Sequence, residues 1–159
     1  MEGFSLNWHF AAHESQLSGK SAIELRHLES LLGEPMMLVS GDEIRCISNV
    51  CTHRGMLLVD GSCSRTTLQC PYHGRTFGLD GSMKSMPEFD LVEGFPAAED
   101  DLRTFPSTSW KGLIFTGLQP SGMEACLGEM ESRVGWMPIE KFEYDNSRNR
   151  CYEIRANWA

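Results

Sequence analysis

Two short stretches of this sequence hold residue types that do chemistry when brought together. The first reads C-T-H-R-G from Cys51 to Gly55 and the second C-P-Y-H-G from Cys70 to Gly74, with sixteen residues between His53 and Cys70. Each offers one thiolate and one imidazole, so Cys51, His53, Cys70 and His73 make four metal donors from two points on the chain. Cys51 and His53 stand two apart, which on an extended backbone turns both side chains the same way. Pro71 restricts the turn in which Cys70 and His73 converge. Gly55 and Gly74 close the two stretches, and without side chains they let backbone N–H groups approach an inorganic centre.

Two Cys and two His suit a tetrahedral zinc ion. They also suit a two-iron cluster in which His₂ replaces Cys₂ on one iron. A zinc finger puts its cysteine pair first and its histidine pair second, whereas each half here is mixed. With two neutral imidazoles the oxidised cluster carries a charge of about 0 rather than about −2, which raises its reduction potential. The stretch resembles the signature C-x-H-(15 to 17)-C-x-x-H of Rieske [2Fe–2S] domains. Its flanks, C-T-H-R-G and C-P-Y-H-G-R-T-F-G-L-D-G, resemble the N-terminal Rieske domain of the ring-hydroxylating, non-haem iron oxygenases, in the alpha subunit. That resemblance implies Cys51 and Cys70 on the inner iron and His53 and His73 on the outer one. Gly55 and Gly74 are then expected as backbone donors to cluster sulfurs, and Arg54, Tyr72 and Arg75 flank the exposed imidazoles, where a redox partner would dock; for the two arginines ordinary surface ion pairs or packing is the equal alternative. The family often has Trp where Arg75 stands.

With 159 residues, 41% hydrophobic and 23% charged, the chain is about one soluble domain with a core of its own. A formal net charge of −8 argues against nucleic acid as a partner. Six cysteines leave Cys46, Cys63, Cys126 and Cys151 beyond the two donors. The respiratory branch of Rieske proteins ties its cluster loops with a disulfide, and the corresponding positions here are Met56 and Tyr72, which favours the oxygenase and ferredoxin branch and a reducing compartment. Cys63 is expected as a buried or half-buried free thiol. The N-terminus lacks the basic and apolar regions of a signal peptide, and no apolar run approaches the ~20 residues of a membrane span. A cytoplasmic protein without membrane contact is the expectation.

Around the two stretches the pattern is of short strands broken by Gly and Pro. Strands are expected at Trp8–Ala12, Met36–Val39, Ile44–Val50, Thr66–Gln69, Arg75–Phe77 and Trp110–Gly117, the last as one strand; Ser21–Leu32 also reads as strand. Asp60-Gly61 and Asp80-Gly81 mark turns. His9 and His13 stand four apart, but the glutamate that a two-histidine zinc helix needs is absent, so they read as histidines without metal. Glu99, Asp100 and Asp101 read as a solvated acidic run. After Pro120 the pattern becomes helical. Ser121-x-x-Glu124 is a capping box, Met123, Leu127, Met130 and Val134 form one apolar stripe, and Gly135 marks the stop. Cys151 to Ala159 alternates strictly and reads as a strand, similar to the one that opens the family's catalytic domain.

The expected fold class is therefore all-β: a Rieske-type antiparallel β-sandwich with a two-loop cluster-binding subdomain, plus a C-terminal helix and strand stub. Residues 1–120 would be the Rieske domain and residues 121–159 a linker helix and the opening strand of a truncated catalytic domain. In the family a ferredoxin or flavin reductase supplies single electrons. The cluster passes them to a mononuclear Fe(II), held by two His and a carboxylate in the catalytic domain of the same or a neighbouring subunit of a trimer, where O₂ is activated. Apart from His53 and His73, the histidines are His9, His13 and His27, all ahead of the loops. The second iron site, and so any catalytic residue, is expected outside this chain. A stand-alone Rieske ferredoxin is the alternative reading, and a zinc-stabilised interaction module the third.

Overall fold

The run M-M-L-V-S explains the architecture, because a strand apolar on successive residues must be buried on both faces. β3 (Met36–Ser40) meets that condition: Met36 is 1% exposed and Met37, Leu38 and Val39 are 0% exposed. In the computed structural model, which describes residues 2–89, 91–150 and 152–155, β3 is the middle of a five-stranded antiparallel sheet. Its order is β5 (Ser62–Cys63), β2 (Ala22–Glu24), β3, β4 (Ile44–Ser48), β9 (Thr104–Phe105).

The pleat sorts the residues of that sheet into two cores. Ala22, Met37, Val39 and Ile47 face a core that also holds Cys51, Cys70, Leu68, Phe77 and Met83. Those last residues belong to a small antiparallel sheet, β6 (Leu68–Gln69), β7 (Thr76–Phe77) and β8 (Met83–Ser85), and to the loops beside it. On the other face Ile23, Met36, Leu38 and Cys46 pack with Ala11, Ala12, Leu28 and Ile114. These come from β1 (His9–His13), α2 (Arg26–Leu32) and β11 (Leu113–Thr116), with β11 lying between β1 and β10 (Ser107–Trp110) in a third antiparallel sheet. Each fully buried side chain such as Phe77 or Leu38 contributes ~1.5–3 kcal/mol. The all-β sandwich is as expected, and the cluster loops grow from its small sheet.

Local details differ from the sequence expectation. Ser21–Leu32 is a strand followed by α2, whose leucines at 25, 28 and 32 follow the helical period. Gly33 ends α2 at φ 70°, donating its N–H to Glu29. Trp110–Gly117 is a hairpin rather than one strand. Lys111 (φ 48°) and Gly112 (φ 82°) form its two-residue turn, and a Cβ on Gly112 would stand 2.8 Å from His13 Nε2. α3 (Met123–Val134) does carry the expected stripe, since Met123, Leu127, Met130 and Val134 are its half-buried residues. The capping box is absent, however: Gly122 in the left-handed region (φ 71°) is the N-cap and no side chain caps the helix. The expected C-terminal strand is not formed over residues 152–155, where Tyr152 and Ile154 are 79% and 78% exposed. A strand without a neighbour has no ladder to stabilise it. Cys151 and residues 156–159 lie outside the described residues.

Candidate metal centre

The first loop leaves β4 and is closed by a bridge between Val50 and Leu57; the second joins β6 to β7. Their backbones repeat the same bonds. Cys51 donates its N–H to Met56 O and Cys70 to Arg75 O, both at 2.8 Å. Gly55 and Gly74 donate back to Cys51 O and Cys70 O, both at 3.0 Å, with φ of +70° and +74°. Each stretch is therefore a tight turn, and the extended geometry expected for Cys51–His53 is not adopted. The two glycine amides close the turns by these bonds. The amides of His53 and Arg54 favour the Cys51 thiolate. The glycines are needed for their left-handed backbone.

On this shared backbone the histidines are offset by one. His53 is the third residue of its turn and His73 the fourth. Both imidazoles nevertheless arrive together, with ring centroids 4.7 Å apart and an interplanar angle of 62°. Cys51 and Cys70 lie beneath, each 2% exposed. The arrangement separates two buried sulfurs from two half-exposed rings.

These residues fit a cationic inorganic centre. Burial and the neighbouring Cys70 push the Cys51 thiol above its ordinary value, while the His53 and Arg54 amides oppose the rise. Two buried thiolates side by side require a positive partner, such as the iron of a cluster. His53 is held below the usual histidine range, first by partial burial and then by His73, Arg54 and Arg75. A metal ligand must be neutral in that way. His53 Nδ1 is buried without any hydrogen-bond partner, a lone pair left for something the protein does not supply. Among the described residues no three His, Cys, Asp or Glu side chains converge on one ion position. A [2Fe–2S] cluster takes donors in pairs, one pair to each iron.

Residues 7–96 match the family described as the Rieske [2Fe–2S] domain. The chain belongs to that family. A Rieske domain binds a [2Fe–2S] cluster, with two thiolates on one iron and two imidazoles on the other. Similarity extends beyond the matched segment. The carnitine monooxygenase oxygenase subunit of Acinetobacter pittii is 30% identical over 98% of this chain and 42% of its own length. The chloroplastic choline monooxygenase of Amaranthus tricolor is 31% identical over 98% of this chain and 36% of its own. The solved structure of the quaternary ammonium Rieske monooxygenase CntA in complex with L-carnitine superposes with a TM-score of 0.71 at 29% identity, over 83% of this chain and 38% of that one. The chain thus spans about two fifths of the length of these relatives, which are Rieske oxygenases.

The other residues singled out in the sequence fall around this Rieske centre. Arg54 is exposed, and Tyr72, 59% exposed, lays its ring 3.7 Å from that of His73. Arg75 is not at the surface as expected but 5% exposed. Its Nη1 donates to Thr52 Oγ1 at 2.6 Å, and its Nη2 to Asp100 Oδ1 at 2.8 Å. Asp100 and Asp101 are likewise not merely solvated. Asp100 accepts from Ala97 N–H through its other oxygen, and Asp101 accepts from Met83 N–H. Thr52, which donates to the Asp100 carbonyl at 2.7 Å, is not singled out by the sequence reading, although its place between two candidate donors is a signal. His9 bonds Phe4 O, His13 bonds Ser15 and His27 bonds Phe10 O. Cys46, Cys63 and Cys126 are free thiols, with Cys63 half-buried as expected.

Proposed function

We propose that this chain is the electron-transfer part of a Rieske oxygenase. Cys51 and Cys70 hold the inner iron and His53 and His73 the outer iron. The cluster supplies one-electron redox chemistry at moderate potential. The domain takes single electrons from a ferredoxin or flavin reductase and hands them to a mononuclear iron in the catalytic part of the oxygenase, which uses O₂ to hydroxylate an organic substrate. The observation that carries this reading is the pair of matching turns that bring two imidazoles within 4.7 Å above two buried sulfurs.

Residues 1–120 are the Rieske unit and residues 121–159 the link to the catalytic domain. In support, the similarity to the carnitine enzyme covers 98% of this chain, α3 included, and a stand-alone ferredoxin has no use for that segment. Arg54 and Tyr72, exposed beside the rings, form part of the surface that meets the electron donor or the catalytic domain of a neighbouring subunit in a homotrimer. Free Cys46, Cys63 and Cys126 suit the reducing cytoplasm. No helix among the described residues is long and apolar enough to cross a membrane.

The test is the colour and EPR spectrum of the anaerobically purified chain after dithionite. A brown protein whose reduced form shows the low average g-value of a His-ligated cluster is expected. A colourless protein with one tightly held zinc ion overturns the proposal.

A further inference from the structure

Arg75 is the most unusual side chain near the cluster loops. It stands two residues past His73, yet its guanidinium is turned inward, with the side chain 6% exposed. Through Nη1 it reaches Thr52, the residue between Cys51 and His53, and through Nη2 it reaches Asp100. Its Cζ lies 5.5 Å from the centroid of the Phe95 ring, and its Nε is buried without a partner. One cation therefore spans from the second ligand loop to the middle of the first, on the protein side of the ligands, where water does not screen it. A planar fork suits that task in a way a lysine ammonium does not.

We infer that Arg75 is a positioning residue that ties the two ligand loops together and, through its buried positive charge, raises the reduction potential of the cluster. This rests on the proposed function above. Reduction brings one electron from an outside reductant and adds one negative charge at the ligand loops, and a fixed cation nearby favours the state that carries it. Asp100 opposes the effect, because its carboxylate neutralises part of the charge.

The test is a dithionite-mediated potentiometric titration of the full chain, followed by EPR and visible absorbance, for wild type, R75Q, R75K and D100N. R75Q keeps a donor for Thr52 but loses the charge. Its equilibrium constant for reduction is expected to fall about tenfold, which for one electron is ~59 mV. R75K keeps the charge and restores most of that loss, though it releases its cluster to a chelator faster than wild type because the fork is gone. D100N frees the cation and moves the potential the other way, upward. An R75Q potential equal to wild type, or an R75K potential as low as that of R75Q, overturns the inference. Should R75Q fail to retain a cluster, the tie is supported and D100N decides the charge: an unchanged or lowered potential overturns it. A colourless wild type defeats the proposed function itself, whereas a normal wild-type cluster with unmoved variants defeats only this inference.

Discussion

The two ligand turns share their backbone hydrogen bonds but not their support. The turn at 70–75 is built into a sheet: Gln69 pairs with Thr76, Thr76 and Phe77 pair on with β8, and Gly74 lies against Pro87. The turn at 51–56 has no sheet of its own: it is closed by the Val50–Leu57 bridge and by buried Asn49, which donates from Nδ2 to Val59 O and accepts from the Val59 and Leu58 N–H groups, while Met56 and Leu57 at its end are 44% and 38% exposed. The second turn is therefore carried by a ladder and the first by a side-chain clamp, and the two are joined through Thr52, Arg75 and Asp100. Function asks both to present one sulfur and one ring at the same place. The offset of the histidines solves that geometry, and the polar tie compensates for the unequal support.

The strongest way to break the comparison is to abolish the offset. Exchanging two residues, H53R with R54H, gives the first turn the C-x-x-H order of the second. If the offset is what lets the rings meet, the visible bands and stoichiometric iron and sulfide are lost completely, as they are in C51S or C70S. Retention of a normal cluster by the exchanged protein would mean that the turns tolerate either order and that their asymmetry is incidental.

A smaller effect separates the glycines. Both have positive φ, where a side chain costs roughly 1–2 kcal/mol. A Cβ on Gly55 meets nothing within 4 Å, whereas one on Gly74 stands 3.1 Å from Pro87 Cγ. G55A should lose about that backbone cost and G74A more, compared by urea unfolding at neutral pH. Equal losses would show that the second turn is no more firmly packed than the first.

Much of the molecule was legible in the sequence, and the parts that were not share a cause. The four candidate donors and β3 and β4 are local patterns, read from spacing and from period. The hairpin at Lys111 was hidden because K-G is a poor advertisement for a turn that only positive φ at both residues reveals. The helix at Arg26–Leu32 was hidden because a single turn of leucines looks like irregular alternation. Arg75 was assigned to the surface because isolated cations belong there. Its burial depends on Thr52, Phe95 and Asp100, between 20 and 25 residues distant in sequence, so no local pattern could announce it.

The tie between the turns also has a pH dependence whose sign is set by Asp100. The Ala97 N–H, helped by Arg75, holds its carboxyl below the usual carboxylate range against the opposing effect of burial. A depressed value means that the native state prefers the ionised form. Its contribution is complete above the unfolded value of about 4 and is lost as pH falls through the folded value. In D100N that contribution is missing at every pH. Wild type should therefore exceed D100N by about 1–3 kcal/mol near neutrality, and the gap should close in acid. A gap that stayed constant down to pH 3 would assign the loss to packing rather than to the charge.

The smallest effect is a readout from the far side of the central sheet. Cys46 belongs to the core opposite the ligands, is 0% exposed, and its thiol is pushed up to about 11 by burial. At pH 8 only about one thousandth of it is thiolate, and none of that is reachable without opening the sheet. Cys126 lies exposed on α3. Alkylation should therefore modify Cys126 at once and Cys46 only at the rate at which the sandwich opens. The comparison can be sharpened by repeating the labelling on cluster-free protein. Cys51 and Cys70 occupy the other core, so if the turns are satellites on a self-sufficient sandwich, removing the cluster frees those two thiols to react as the turns open and leaves Cys46 protected. Rapid labelling of Cys46 in the same experiment would mean that the metal centre holds the whole sandwich together, and not only the looser of its two turns.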